Sequence, residues 1–197
     1  ICTPNLGKLA LTQAQYDQFR EDLSINQESF FGIWAVTDAP DISEDWDPVF
    51  RAACIEQFDL DGNGKLSAIE AGKVSGTNAT LVIDKDTPNV GDLKSLKGIE
   101  NFKYLKNIYI TGATALEDVD LSNQTYLTNL VLSLANGVKS LKFTDIVEWG
   151  DPVKVELIFS DPAANVGPVT LDFSPLASRL SSITIKNASK LAEMNLA

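Results

Sequence analysis

Histidine is missing from all 197 residues. That absence removes His-activated serine and cysteine nucleophiles, the HExxH zinc motif and imidazole acid–base work together. Cysteine is nearly missing: Cys2 and Cys54 are too few for a disulfide framework or a Cys-based zinc site. No apolar run approaches the ~20 residues of a membrane helix, so no transmembrane segment is expected. Positive charge is also scarce, with 16 Lys and Arg against 27 Asp and Glu and a net charge of −11. Such a chain repels phosphate backbones, which argues against a nucleic-acid partner. The deficit is concentrated in residues 1–72, which hold 13 acids and 4 bases. Excess acid is what a cation-binding surface requires, and solubility is the plainer account of it.

What is present is enough apolar residue, 44% of the chain, to build a real core. Near the N-terminus Thr12 and Gln15 fit a capping box, with Leu11 and Tyr16 placed to close a hydrophobic staple across it. Tyr16, Phe19 and Leu23 then fall at helical spacing. Phe30, Phe31, Ile33 and Trp34 form an apolar cluster that reads as core. Residues 36–47 read as an acidic connection. A second helix is predicted to start at Asp47-Pro48, an N-cap followed by Pro at the first helical position, and to run to about Phe58. Phe50, Cys54 and Phe58 share one face of it. Cys54 is read as a buried free thiol in preference to a Cys2–Cys54 bridge. Cys2 stands where the lipid-anchor cysteine of a truncated bacterial lipoprotein would stand, although Ile1 suits that cleavage poorly.

From residue 80 onward a repeat takes over. The pattern apolar-x-x-apolar-x-apolar occurs as Leu105-Ile108-Ile110, Leu116-Val119-Leu121, Leu127-Leu130-Leu132 and Val138-Leu141-Phe143, at a constant step of 11. It returns as Leu180-Ile183-Ile185 and Leu191-Met194-Leu196. Each match predicts a short strand with inward apolar side chains, and two steps make a 22-residue coil within the range of leucine-rich repeats. Such coils bury their apolar residues only against one another, as a stack. Asn123 and Asn187 sit just past strands, where an amide can satisfy turn backbone. Between 144 and 179 the register is lost, although 153–159 and 169–173 still alternate. The expected fold is α+β: a helical cap over 1–79, then a short leucine-rich-repeat β-solenoid over 80–197, irregular at 144–179.

Between cap and solenoid lies the most specific motif. Residues 59–70 match the twelve-residue EF-hand calcium loop at each diagnostic place. Asp59, Asp61 and Asn63 supply side-chain oxygens at positions 1, 3 and 5, and Gly64 allows the sharp turn at position 6. Lys65 offers its carbonyl at position 7, Ser67 an oxygen at position 9, and Glu70 two oxygens at position 12. The competing reading is an Asp/Gly/Asn surface turn followed by a Ser67–Glu70 capping box. That reading leaves unexplained three oxygen-bearing residues at alternate positions ahead of a glycine. A single loop also argues against a groove-opening switch built on paired hands.

The order of these segments resembles a known family. Asp47-Pro-Val-Phe-Arg51 precedes Phe58-Asp-Leu-Asp-Gly-Asn-Gly-Lys-Leu-Ser67, then come Leu96-Lys-Gly-Ile-Glu-Asn-Phe-Lys-Tyr-Leu105 and Val119-Asp-Leu-Ser-Asn-Gln-Thr-Tyr-Leu127-Thr-Asn-Leu130. This is similar to the leucine-rich-repeat surface proteins of Bacteroides-type bacteria, over about 47–143 and more loosely over 180–197. The resemblance implies export to the cell surface or beyond, a binding role and no catalysis. The expected partner is a protein or glycan on the solenoid face, at outward positions Tyr109, Asp120, Val131, Lys142, Thr184 and Asn195. Two other readings stand beside it. One is a glycan-active enzyme using a carboxylate pair, Asp118 and Asp120 or Glu117 and Asp120; the other is an accessory subunit of a polysaccharide-capture complex, with Lys94, Lys97, Lys103 and Lys106 facing an acidic partner.

Overall fold

The computed structural model describes residues 9–15, 17–18, 33–36, 39–76, 79–144, 151–160 and 167–196. Strands β1 (Leu9–Leu11) and β2 (Ile33–Val36) pair in parallel, where the sequence pattern indicated only a staple residue and an apolar cluster. The Thr12–Gln15 capping box is formed: the Thr12 N–H donates to Gln15 Oε1 at 2.9 Å, and the Gln15 N–H to Thr12 Oγ1 at 3.2 Å. Residues 13–15 and 17–18 are helical. Tyr16, Phe19, Leu23, Phe30, Phe31 and Cys2 lie outside the described residues, as do the side chains of Leu11, Ile33 and Trp34.

Helix α1 (Pro48–Phe58) begins where the Asp-Pro signal puts it. Asp47 Oδ1 accepts the N–H groups of Val49 and Phe50 at 2.9 and 3.3 Å, satisfying donors that no earlier carbonyl can reach. Asp47 Oδ2 accepts the Lys94 N–H at 3.0 Å, so one carboxylate both caps the helix and ties it to the solenoid. Phe50, Cys54 and Phe58 are buried as their spacing predicts. Cys54 is a free thiol, and burial pushes its pKa far up, which makes it inert. A short helix α2 (Ala68–Gly72) follows.

The solenoid comprises β3 (Thr80–Ile83), β4 (Asn107–Thr111), β5 (Asp118–Leu121), β6 (Asn129–Ser133), β7 (Ser140–Phe143), β8 (Val153–Ile158), β9 (Thr170–Asp172), β10 (Leu180–Lys186) and β11 (Glu193–Asn195). From β4 onward, successive strands go to alternate sides. One parallel sheet has the order β10-β8-β6-β4-β3; opposite it β5 pairs with β7 and β11 with β9, also in parallel. Each 11-residue step is therefore half a coil. Ile108 pairs with Leu130, and Val119 with Leu141, each 22 positions on. The inward side chains from Leu105 to Leu141 are buried, Leu121 at 1% exposure and Leu130 at 0%. The array continues through the irregular stretch with longer coils, since Leu130 pairs with Val155 and Val155 with Ile183.

Cap and solenoid share one hydrophobic core. Phe58 and Trp46 meet Phe102 with ring centroids 5.1 and 5.9 Å apart. Gly98, at φ +105°, lies under the Trp46 indole so closely that a Cβ there would fall 2.1 Å from a ring carbon. Gln57 covers the first sheet edge: its amide donates to the Val82 carbonyl at 2.8 Å and accepts the Val82 N–H at 3.0 Å, standing in for a missing strand. At the other end Leu180, Ile183, Ile185 and Leu191 are only half-buried, and Met194 and Leu196 are 43% and 46% exposed.

Two local expectations need correction. Asn187 does satisfy a carbonyl, donating to Phe159 at 2.9 Å, but Asn123 is exposed. The buried amide at that turn is Gln124, which donates to the Ile99 carbonyl at 2.9 Å. The lysine cluster is partly neutralised within the molecule, because Lys97 pairs with Asp45 and Lys106 with Asp151.

Candidate metal centre

The loop between α1 and α2 gathers its acids inward. A carboxylate oxygen from each of Asp59, Asp61 and Glu70 lies within 4.8 Å of the others. A divalent cation with oxygen ligands at 2.3–2.6 Å holds oxygens at up to ~5 Å across its diameter, so the spacing suits such an ion. The cluster can coordinate a divalent cation.

Local hydrogen bonds explain why the chain turns here. Asp59 Oδ1 accepts the N–H groups of Gly62 and Asn63 at 2.8 and 3.2 Å, and Oδ2 accepts that of Gly64 at 2.8 Å. Asp61 Oδ1 accepts the Asn63 N–H, and Asn63 Oδ1 the Lys65 N–H, at 3.1 and 2.8 Å. Each oxygen-bearing side chain thus folds back on backbone further along, which wraps the loop around its own acids. Gly62 and Gly64 take φ of +73° and +75°, a region open to glycine at little cost. Asn63 and Lys65 stand on the exposed side.

Glu70 is 1% exposed. Its Oε1 accepts the Leu60 N–H at 2.9 Å, and its Oε2 accepts the N–H and hydroxyl of Ser67, both at 2.9 Å. Ser67 Oγ accepts the Glu70 N–H at 3.3 Å, completing a capping box on α2. The capping box read in the sequence is thus formed, and it holds Glu70 beside Asp59 and Asp61. Burial first, then the charges of Glu70 and Asp59, push the Asp61 carboxyl above its ordinary pKa against a lowering bond from Asn63. Lys73 is half-buried after α2; burial pushes its ammonium down to about 8, and the Glu70 charge recovers only part of that.

Sequence reasoning missed what holds the loop from outside. Leu66 is fully buried, its carbonyl accepts the Ile42 N–H at 2.8 Å, and its N–H donates to Asp41 Oδ1 at 3.4 Å. Arg51, on α1, donates to Asp41 Oδ2 at 2.9 Å, to Ser43 Oγ at 3.0 Å and to the Gly64 carbonyl at 3.3 Å. Residues 41–43 of the acidic connection are thus a packed part of the loop's surroundings. The only available signal was Arg51, the lone base in residues 36–64.

No protein-family model matches this chain, and no curated protein matches it. No helix among the described residues is long and apolar enough to cross a membrane.

Proposed function

We propose that the chain is a non-catalytic, calcium-stabilised leucine-rich-repeat scaffold of the bacterial cell surface or extracellular space. Its solenoid face would bind a protein or glycan. The observation that carries the calcium reading is the convergence of Asp59, Asp61 and Glu70 on one loop. Asn63, Ser67 and the Lys65 carbonyl would add oxygens to an EF-hand-like shell of the number calcium prefers. Calcium here would neutralise three carboxylates and brace the cap against the solenoid.

Two solenoid faces are available, and they differ. On the second sheet charged groups already pair with one another: Glu117 with Lys139 at 2.7 Å, Asp120 with Lys142 at 3.9 Å and Asp118 with Ser140. The first sheet carries the outward row Val82, Tyr109, Val131, Glu156 and Thr184, with Val82 and Tyr109 38% and 36% exposed. Covering that row with a partner desolvates fewer paired charges, so the ligand is placed there. Asp120, which Ser122 holds below the ordinary carboxylate pKa, is ill suited to be the general acid of a carboxylate pair.

The experiment is a calcium titration followed by thermal melting. Extracellular modules hold calcium with Kd of about 10⁻⁴ to 10⁻³ M. At free calcium tenfold above Kd the gain is about 1.4 kcal/mol by mass action, and magnesium should reproduce it poorly. Glu70→Ala should lower stability in EDTA through loss of the capping box, and should abolish the calcium-dependent increment. Equal increments in wild type and Glu70→Ala would reduce the loop to a turn.

A further inference from the structure

EF-hand-type loops ordinarily work in pairs, each steadying the other through its backbone; among the described residues there is one such loop, and it is held differently. The held region is the stretch from Gly64 to Leu66, between the turn and the helix that carries Glu70. Backbone from Ile42 meets the Leu66 carbonyl, and Asp41 meets the Leu66 N–H. Asp41 is fixed in turn: Oδ1 accepts the N–H and hydroxyl of Ser43 at 2.8 and 2.6 Å, and Oδ2 takes the Arg51 guanidinium. The same guanidinium reaches the Gly64 carbonyl and Ser43 Oγ. One planar group thus spans the entering helix, the preceding segment and the loop.

We infer that residues 41–43 together with Arg51 take the place of a second loop, preorganising residues 64–66 so that a single loop binds its cation. Resting on the calcium reading above, this makes Arg51 a positioning residue: it is bonded to Asp41, Ser43 and Gly64, not to the carboxylates that would meet the ion. Its charge and its geometry act in opposite directions. A cation beside an anionic loop repels calcium, so removing the charge alone would tighten binding. Removing the brace leaves the loop to be ordered at binding, which weakens it.

That opposition supplies the test. Calcium binding is measured by isothermal titration of the full chain, for wild type, Arg51→Gln, Arg51→Lys and Ser43→Ala, at a temperature where circular dichroism shows each variant folded in EDTA. Arg51→Gln should bind about tenfold more weakly despite losing a repelling charge. Arg51→Lys should weaken similarly, because an ammonium cannot bridge three partners in one plane, and Ser43→Ala should weaken by about threefold. Arg51→Gln binding calcium equally or more tightly, with wild type binding, would overturn the brace while leaving the calcium site intact. An Arg51→Lys variant with wild-type affinity would overturn it too, by showing that the guanidinium's three-way bridge is not needed. Wild type that does not bind calcium would overturn the calcium reading and this inference together.

Discussion

At the scale of single residues, two acids at the loop, Asp41 and Asp61, respond to pH and charge with opposite signs. Asp41 is 3% exposed at its side chain; burial pushes its carboxyl up, but bonds from Ser43, Arg51 and Leu66 outweigh that and hold it at about 2. A depressed carboxylate stabilises the fold above its unfolded pKa and loses that contribution as pH falls through the folded value. Chemical denaturation should therefore show about 2 kcal/mol disappearing between roughly pH 4 and pH 2. Asp41→Asn should flatten that part of the profile. Asp61 runs the other way, because burial first, and then the charges of Glu70 and Asp59, raise its pKa and so penalise its ionised form as pH rises. Asp61→Asn should accordingly stabilise the cation-free protein at neutral pH and shrink any response to calcium. Melting in EDTA and in calcium reads both effects, and a variant less stable in EDTA would remove that argument.

At the scale of elements, the sequence carried local signals well and tertiary ones poorly. Asp47-Pro48 placed α1 to the residue, and Thr12 with Gln15 placed a capping box, because caps depend on residues three apart. The 11-residue step located β4 to β7 and the burial of Leu121 and Leu130, since inward positions must recur wherever coils stack. That consecutive steps alternate between two sheets is also implicit in the 22-residue period. The parallel β1–β2 pair was not legible, because its partners lie far apart in sequence and the strands are only 3 and 4 residues long. In the loop, the three acids were legible by spacing, whereas the Asp41–Arg51 brace depends on contacts 10 to 25 residues apart. Gln57 escaped notice for the same reason: nothing local distinguishes it from an exposed helical glutamine. Its amide closes the sheet edge at Val82. Gln57→Ala should cost about 1 kcal/mol and accelerate hydrogen exchange at the Val82 amide. An unchanged rate there would mean that α1 protects the edge by packing alone.

At the scale of the whole molecule, the solenoid is a one-dimensional stack whose two ends are unequal. At the N-terminal end α1, Trp46 and Gln57 cover the first coil, and the side chains beneath them, Leu81 and Ile83, are fully buried. At the C-terminal end of the array the inward side chains of β10 are half-buried, and Met194 on β11 is exposed. Stability in such a stack is a sum of terms between neighbouring coils, so a coil whose inward side chains are less buried opens at lower free energy. Hydrogen exchange should therefore be fastest in β11 and β10 and slowest in β4 and β6, with β3 staying close to the slow group because the cap covers it. Truncation should follow the same gradient. Leu130→Ala, at a site with coils on both sides, should cost about 2–5 kcal/mol, whereas Met194→Ala should cost under about 1 kcal/mol. If calcium binds the loop as proposed, its stabilisation would enter through the cap and should slow exchange in α1 and β3 before it is felt at β10. Uniform protection from β3 to β11, or equal costs for the two truncations, would show that the coils unfold as one unit and that the unequal ends have no energetic consequence.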